Sequence, residues 1–372
     1  MIYFDNAATT PLHPEVKAAM TAAMEIFGNP TSVHSFGREA RVFIEDQRSL
    51  VAGLLHVSPA EIFFTSGGTE SLQTVLHGAL RDPDIRRVIT TPMEHHAVMH
   101  NLKHLSPVFQ KPVHHVATGK GGVVDLSHLE ELLKEPGRSL VVLMHANNET
   151  GILLPLTEVA ALCTRYGSLF LTDTVQTMGK LNLDLSTGIS FAAASAHKFH
   201  GPKGAGFLFV NGDCRIEPLI LGGGQERNMR SGTENIIGIA GVAKALEVAL
   251  RDLPETMPHI QSLRDSMLKG ITERFPDAVP VTVPDQSLYT ILNVGFPAHI
   301  AGAMLLYRLD IEGVAVSGGS ACTSGVNIKS HVLDAMGIDQ DARQHIRFSF
   351  SRFNQPDEVS KCLEILASIP RN

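Results

Sequence analysis

Short apolar runs alternate with amphipathic segments along most of the chain. This alternation is typical of an α/β fold, and runs rich in Val, Ile, Leu and Phe suit strands that are buried on both faces of a mostly parallel sheet. We therefore expect a large, mostly parallel sheet with helices between its strands. The pattern predicts strands at 61–65, 87–91, 140–145, 168–173, 191–194 and 205–210, and helices at 14–26, 38–55, 70–80, 126–134, 157–166 and 235–250.

The C-terminal third has a different pattern. Segment 252–258 carries Pro254 and Pro258 and is interpreted as a hinge. Beyond it, the pattern predicts strands at 288–293 and 347–350 and helices at 301–309 and 357–367. We expect a large domain over 14–253 and a smaller α+β domain made of 1–13 and 254–372, which carries a mobile loop at about 316–330 around Cys322.

Composition narrows the class of protein. With 372 residues the chain is expected to form about two domains. Its net charge of −7, without a Lys/Arg block, argues against a nucleic-acid surface. Four scattered cysteines without a Cys-x-x-Cys pair indicate a reducing compartment. No signal sequence or run of roughly 18 apolar residues is present, so we expect a cytoplasmic protein without a membrane anchor.

The strongest chemical signal is Lys198, which follows the predicted strand 191–194 among small residues and histidines. A lone loop lysine is most often solvated. A lysine forms an imine only when desolvation or nearby positive charge makes its amine available. Asp173 ends another predicted strand upstream, and pyridoxal phosphate enzymes need both such a lysine and a carboxylate that holds the pyridinium nitrogen protonated. The pair therefore favours pyridoxal phosphate as cofactor.

A candidate phosphate site lies at the end of the predicted strand 61–65. Gly67, Gly68 and Thr69 follow the strand and open a helix. A Gly-Gly turn is by itself commonly just a turn, but free N–H groups at a helix start favour an anion. Because Lys198 and Asp173 already favour pyridoxal phosphate as cofactor, phosphate binding becomes the favoured interpretation of this turn.

These residues belong to a set of motifs that resembles the cysteine desulfurases of the class V aminotransferase branch of fold-type I pyridoxal phosphate enzymes. Single motifs are weak evidence, but their joint order over the whole chain is specific. They are FDNAATTP at 4–11, GNPTSVH at 28–34, FTSGGTES at 64–71, EHHAV at 94–98, NNETG at 147–151, DTVQ at 173–176, the lysine stretch at 195–204, GGGQER at 222–227, RSGT at 230–233, SACTS at 320–324 and IRFS at 346–349.

The resemblance implies the α/β architecture of fold type I, with a mostly parallel seven-stranded sheet in the large domain and a smaller α+β domain, and it implies roles for individual residues. Lys198 forms the imine and moves the α-proton, Asp173 holds the pyridinium nitrogen, and the ring of His95 stacks on the cofactor and can shuttle protons. Arg347 pairs with the substrate carboxylate, with Arg352 as a weaker candidate. The further implied contacts are Gly68, Thr69, Ser195 and His197 to the phosphate, Asn148 and Gln176 to the phenolic oxygen, Asn148 to the substrate, and Thr233 to the phosphate of the partner subunit in a homodimer.

Cys322 decides between reactions of this branch. It stands among Gly and Ser residues, which predicts exposure and mobility, whereas Cys163, Cys214 and Cys362 have the usual expectation of small buried hydrophobes. In the resembled family, such a cysteine accepts sulfur from L-cysteine as a persulfide, leaves L-alanine, and passes the sulfur on for iron-sulfur cluster, thio-cofactor or tRNA biosynthesis. Selenocysteine lyase, another lyase or aminotransferase of the branch, and a non-catalytic scaffold are the alternatives.

Two features differ from common members of the family. The segment 327–329 replaces a usual Leu-Glu-Pro, and the chain ends soon after the 346–349 motif, where housekeeping members often continue into a tail that docks the iron-sulfur scaffold. The sulfur acceptor, a scaffold or another sulfur-carrier protein, therefore stays open.

Overall fold

The computed structural model describes residues 1–297, 299–300, 304–318 and 329–369. Cys322 and part of the predicted mobile loop lie outside the described residues. The strands are β1 Ile2–Tyr3, β2 Ile62–Thr65, β3 Ile85–Thr90, β4 Val113–His115, β5 Arg138–Met144, β6 Leu169–Asp173, β7 Phe191–Ser195, β8 Gly206–Val210, β9 Val279–Pro280, β10 Ile291–Pro297, β11 Val314–Ala315, β12 Ser317–Gly318 and β13 Arg343–Ser349. The helices are α1 Pro14–Ala23, α2 Ser35–Leu54, α3 Gly68–Arg81, α4 His96–Phe109, α5 Leu126–Lys134, α6 Leu156–Arg165, α7 Ile236–Arg251, α8 Leu253–Arg274, α9 Leu305–Ile311, α10 His331–Ala335 and α11 Pro356–Ser368.

A seven-stranded sheet forms the centre of the fold, in the order β2-β8-β7-β6-β5-β3-β4. Strand β8 is antiparallel to both neighbours, and the other pairs are parallel. Successive residues of a strand enter apolar clusters on opposite faces: Phe64 packs on one side and Phe63 on the other. Burial on both faces explains the continuous apolar runs of the sequence. The predicted seven-stranded, mostly parallel sheet is confirmed.

This topology brings several strand ends to one edge. Strands β2, β3, β5, β6 and β7 run in the same direction, so their carboxyl ends meet at one side of the sheet. In open α/β sheets this edge is where ligands bind. Asp173 and Ser195 are the last residues of two of these strands.

A second sheet, β12-β13-β10-β9, is antiparallel throughout. It packs with α8 and α11 in an apolar cluster separate from those of the large sheet. The N-terminal segment belongs to this cluster through Ile2, Phe4 and Ala7, and it is held there because Phe4 exchanges backbone hydrogen bonds with Ala315 and Ser349. The first residues of the chain therefore pack with the last third.

The predicted hinge at 252–258 is wrong. The segment opens α8, with Pro254 in the first turn, where a helix needs no N–H donor. Pro258 lies further inside the same helix and is tolerated there. The break between α7 and α8 is reduced to Asp252, which forms ion pairs with Arg251 and Arg352.

Among the described helices, none is long and apolar enough to cross a membrane.

Candidate active site

A cavity of about 330 Å³ lies at the carboxyl edge of the large sheet. It collects residues that are far apart in sequence, from the N-terminal segment to β13. Nearly all the predicted site residues line it: Gly68, Thr69, His95, Asn148, Asp173, Gln176, Ser195, His197, Lys198 and Arg347.

Lys198 lies in a short 3-10 turn, Ala196–Lys198, that follows β7. Its Nζ atom donates hydrogen bonds to the carbonyl oxygens of Ala7, at 2.6 Å, and Ala8, at 2.8 Å. These acceptors are neutral backbone groups of the N-terminal segment, and no sequence signal pointed to them. The half-buried amine is thereby held inside the cavity.

Asp173 ends β6 and is 7% exposed. Its carboxylate accepts a hydrogen bond from Val175 N at 2.9 Å. Burial raises the pKa of Asp173 to about 6, although the Val175 N–H and the Lys198 charge act in the opposite direction. A buried carboxylate of this kind favours a cationic N–H partner, which restores the charge balance lost on burial.

Glu94 is a second buried carboxyl group, which sequence reasoning missed. Its oxygens accept hydrogen bonds from Thr91 Oγ1 and Met144 N, both at 2.9 Å. Burial raises the pKa of Glu94 to about 8, and the charge of Asp173 adds to the shift. Near neutral pH, Glu94 therefore holds a proton while Asp173 is mostly ionised. The sequence around Glu94, which directly precedes His95, did not indicate that the carboxyl group is buried.

His95 is fixed as the residue that caps the start of α4. Its Nδ1 accepts a hydrogen bond from Ala97 N at 3.1 Å, so the proton of the neutral ring lies on Nε2. Burial lowers the pKa of His95 to about 4, with a contribution from Lys198. The ring is thus neutral at physiological pH and presents one defined tautomer.

The candidate phosphate site combines a free helix start with two glycines. Helix α3 has no side-chain cap, so its first N–H groups stay available beside the cavity. Gly67 has φ +143°, and a Cβ atom on Gly68 would lie 2.5 Å from Val175 Cγ2. Ser195 and His197 line the same cavity, and burial lowers the pKa of His197 to about 4. Neutral donors therefore surround the place predicted for an anion.

Arg347 on β13 is 2% exposed. Its Nη2 lies 2.9 Å from Asp5 Oδ1, and its Nη1 donates to Asn148 O at 2.7 Å. Its buried Nε has no hydrogen-bond partner among the described residues. Buried donors are almost always paired, so a guanidinium with an unused Nε beside a cavity suits a carboxylate ligand. Arg352, the weaker candidate, instead pairs with Asp252 at 2.7 Å.

Gln176 and Asn148 differ in how firmly they are held. Gln176 Nε2 donates to Ala7 O at 3.0 Å, and its Oε1 accepts from Lys180 Nζ at 3.3 Å. Asn148 contributes its backbone carbonyl to Arg347 and lines the cavity. Both residues line the cavity of Lys198.

Of the predicted residues that the structure describes, Thr233 is not brought to this cavity. Thr233 lines a separate cavity of about 150 Å³, together with Ser66 and Arg230. Cys322 lies outside the described residues. Of the other cysteines, Cys163 and Cys362 are buried as expected, and burial raises the pKa of each thiol to about 12, whereas Cys214 is only partly buried.

Comparison with known proteins gives one consistent result. The family model Aminotransferase class-V matches residues 2–362. Cysteine desulfurase IscS of Dictyoglomus turgidum is 37% identical, over 99% of this chain and 94% of its own length. An IscS-like cysteine desulfurase of Mycobacterium tuberculosis is 38% identical, over 98% of this chain and 95% of its own length.

Solved structures agree with these relatives. A NifS-like protein superposes with a TM-score of 0.91 and 39% identity, covering 99% of this chain and 98% of its own. SspA, solved in complex with cysteine, has a TM-score of 0.82 and 28% identity, covering 95% of this chain and all of its own. The chain therefore belongs to the class-V aminotransferase family and, within it, to the cysteine desulfurases.

Proposed function

We propose that this protein is a pyridoxal phosphate-dependent cysteine desulfurase, which converts L-cysteine to L-alanine and transfers the sulfur to Cys322 as a persulfide. The observation that carries the proposal is the single cavity in which Lys198, Asp173 and Arg347 meet. It provides an amine, a buried carboxylate and a guanidinium with an unused donor. Family membership directs this set toward L-cysteine, and the neighbour SspA was solved with cysteine bound.

The residues present fit pyridoxal phosphate. Lys198 would attach to it, Asp173 would hold its ring nitrogen, and the start of α3 with Ser195 and His197 would hold its phosphate. His95 would cover the ring, and Gln176 and Asn148 would contact the phenolic oxygen. When bound, the cofactor supplies an electron sink for a carbanion at the substrate α-carbon.

The roles of the side chains combine these environments with the family resemblance. Arg347 holds the substrate carboxylate and so orients the amino acid in the cavity. Lys198 moves the α-proton, and neutral His95 offers the N–H of Nε2 as a second proton carrier. The Cys322 thiolate forms a sulfur–sulfur bond with the substrate while the substrate carbon–sulfur bond breaks, and a proton finally replaces sulfur on the alanine product.

A homodimer accounts for the place of Thr233. In one chain Thr233 lies outside the cavity of Lys198, as expected if it serves the phosphate of the partner. Large apolar side chains are exposed at Phe27 (75%), Val33 (88%) and Leu221 (78%), and a homodimer interface would cover apolar surface of this kind. The sulfur acceptor, an iron-sulfur scaffold or another sulfur carrier, and the cytoplasmic location stay predictions.

The deciding experiment measures sulfide and alanine release from L-cysteine in the presence of reductant. Wild type is compared with Cys322→Ala and with Cys214→Ala, a half-buried cysteine far from the motif. We expect wild type and Cys214→Ala each to release sulfide and alanine in equal amounts. Cys322→Ala should lose sulfide release but retain the visible absorption of the cofactor.

Two results would contradict the proposal. Full activity in Cys322→Ala would remove the persulfide role. A wild type that binds the cofactor but releases no sulfide would redirect the function to selenocysteine cleavage, tested with selenocysteine in the same assay, or to another reaction of the branch.

A further inference from the structure

The first turn of α3 contains a carboxylate close to the candidate phosphate site. Glu70 is the acidic residue of that turn and follows Gly68 and Thr69 directly. Its Oε2 accepts a hydrogen bond from Ser66 N at 2.9 Å, so the carboxylate reaches back to the turn between β2 and α3. A carboxylate at this place uses the positive end of the helix dipole and competes with a bound anion for it. An uncompensated Glu70 would therefore weaken the attraction of α3 for a phosphate.

Arg230 supplies a compensating charge. Its Nε donates to Glu70 Oε1 at 2.9 Å, and the two side chains are 27% and 10% exposed. A partly buried ion pair is screened less by solvent and salt than a surface pair. Burial alone would raise the pKa of Glu70, but the hydrogen bonds from Arg230 and Ser66 hold this pKa below its usual value. The pair therefore consists of two full charges near neutral pH.

The segment that carries Arg230 is also fixed to β2. Glu226 Oε2 accepts a hydrogen bond from Phe64 N at 2.8 Å, and the Glu226 carboxylate forms a buried ion pair with Arg48 of α2. The three residues 226–228 have φ values of 44°, 54° and 68°. Successive non-glycine residues in the left-handed region are costly and persist only where the surroundings impose them. The fold thus holds Arg230 at a defined place beside the start of α3.

We propose that Arg230 is a positioning residue for the cofactor phosphate: by pairing with Glu70, it cancels the negative charge in the first turn of α3 and preserves the attraction of that helix start for a phosphate. The pair takes no part in the chemistry of the Lys198 amine or of the substrate. The inference rests on the proposed binding of pyridoxal phosphate, and it concerns affinity for the phosphate group, which is measured without turnover.

The test compares the dissociation constants of pyridoxal phosphate and of pyridoxal, which lacks the phosphate. Each is titrated into the cofactor-free full chain, and binding is followed by visible absorption. In Arg230→Met we expect about tenfold weaker binding of pyridoxal phosphate, because one uncompensated negative charge then opposes the phosphate across a partly screened distance. Glu70→Gln keeps an oxygen for Ser66 N but loses the charge, so it should bind pyridoxal phosphate about tenfold more tightly. Binding of pyridoxal should match wild type in both variants.

The double variant Arg230→Met/Glu70→Gln separates charge from structure. It lacks both charges, so its affinity for pyridoxal phosphate should return to that of wild type. An affinity as low as that of Arg230→Met would overturn the proposal, since it would show that Arg230 contacts the phosphate itself or supports the fold. Weaker binding of pyridoxal phosphate in Glu70→Gln would overturn it as well, because the change would have the opposite sign.

The matched control lies at the other end of the same helix. Arg81, in the last turn of α3, forms an exposed ion pair with Glu217 at 2.8 Å. The 14 residues of α3 place Arg81 about 20 Å from Gly68, well beyond the Debye length of about 8 Å at physiological ionic strength. Arg81→Met should therefore leave binding of pyridoxal phosphate unchanged. An equal loss in Arg81→Met and Arg230→Met would assign the effect to the net charge of the chain and contradict the proposal.

The outcomes separate this inference from the proposed function. A wild type that does not bind pyridoxal phosphate would refute the proposed function. A wild type that binds it and releases sulfide, beside an Arg230→Met variant that binds it equally well, would refute only the role of Arg230. If Arg230→Met does not fold, Glu70→Gln decides alone, since tighter binding of pyridoxal phosphate but not of pyridoxal is expected only where the Glu70 charge opposes the phosphate.

Discussion

At the scale of single residues, two neighbouring buried carboxyl groups have different pKa values: Asp173, which lines the cavity, and Glu94, which lies beside it. Asp173 accepts an N–H and lies near Lys198, whereas Glu94 lies deeper and is penalised further by the charge of Asp173. Environments that separate the pKa values of two carboxyl groups assign them different tasks. Glu94 stays neutral and structural near pH 7, whereas Asp173 carries a negative charge.

This assignment predicts how stability depends on pH. The pKa of Glu94 rises from 4.5 to about 8 on folding, so its contribution to stability is complete below about pH 4.5 and is lost as the pH rises toward 8. Glu94→Gln mimics the protonated form. We expect its free energy of unfolding to match wild type near pH 5 and to exceed it by about 2 to 4 kcal/mol above pH 8.

Urea unfolding of the cofactor-free chain at several pH values measures this difference. Glu131→Gln, at an exposed position of α5, is the control and should follow wild type throughout. Equal pH dependence in Glu94→Gln and wild type would show that Glu94 ionises without penalty in the folded chain.

At the scale of elements, the start of α3 shows how tertiary packing makes a common Gly-Gly turn a requirement at one position. A Cβ on Gly68 would lie 2.5 Å from Val175 Cγ2, in the segment that follows Asp173. The glycine is therefore required by close packing between the β2–α3 and β6 segments. This packing brings the helix N-terminus next to the residues of β6 and β7.

In Gly68→Ala, the added Cβ should consequently push the start of α3 away from Val175 and distort the candidate phosphate site. We expect a loss of about 1 to 3 kcal/mol in unfolding free energy, as for overpacked cores, and faster loss of pyridoxal phosphate on dialysis. Gly53→Ala in α2, where a Cβ meets nothing within 4 Å, is the matched control and should be neutral or slightly stabilising. If Gly68→Ala retained both stability and cofactor, the close approach would not constrain the site.

Sequence patterns predicted some elements better than others. Helix α5 was predicted with its observed bounds, because its apolar and charged residues follow a clear helical period. Helix α4 was missed, because its many histidines and Pro107 hide that period. The prolines at 254 and 258 suggested a hinge, yet packing of α8 against the second sheet stabilises a helix through them. Tertiary packing outweighed local propensity there.

At the scale of the whole molecule, the separate apolar cores support the proposed division into 14–253 and the pair of segments 1–13 and 254–372. The cavity draws on residues from both parts, because Ala7 and Arg347 line it together with Lys198. The homodimer would add a third source, Thr233 of the other subunit.

A shared site predicts complementation between two damaged subunits. Lys198→Ala lacks the amine, and Thr233→Ala lacks the contact it would donate to its partner. A mixed dimer retains one intact site, built from Lys198 of one chain and Thr233 of the other. For co-expressed variants that pair at random, we expect about a quarter of wild-type sulfide release, well above either variant alone.

Light scattering should show a mass of two chains for all of these proteins. Activity of the mixture no greater than the average of the separate variants would place Thr233 in the site of its own subunit.

The sequence by itself determined the class of the protein. The apolar runs specified the strands of a mostly parallel sheet, because burial on both faces leaves that signature locally. Ordered motifs singled out Lys198, Asp173 and Arg347, because chemistry limits which residue types can serve at such positions.

Only the tertiary structure decided what depends on neighbours distant in sequence. Burial gave Glu94 and Asp173 different pKa values, the Ala7 and Ala8 carbonyls received the Lys198 amine, and Arg230 paired with Glu70 at the start of α3. Desolvation and hydrogen bonding arise from what surrounds a group in space, and local sequence patterns contain no record of those surroundings.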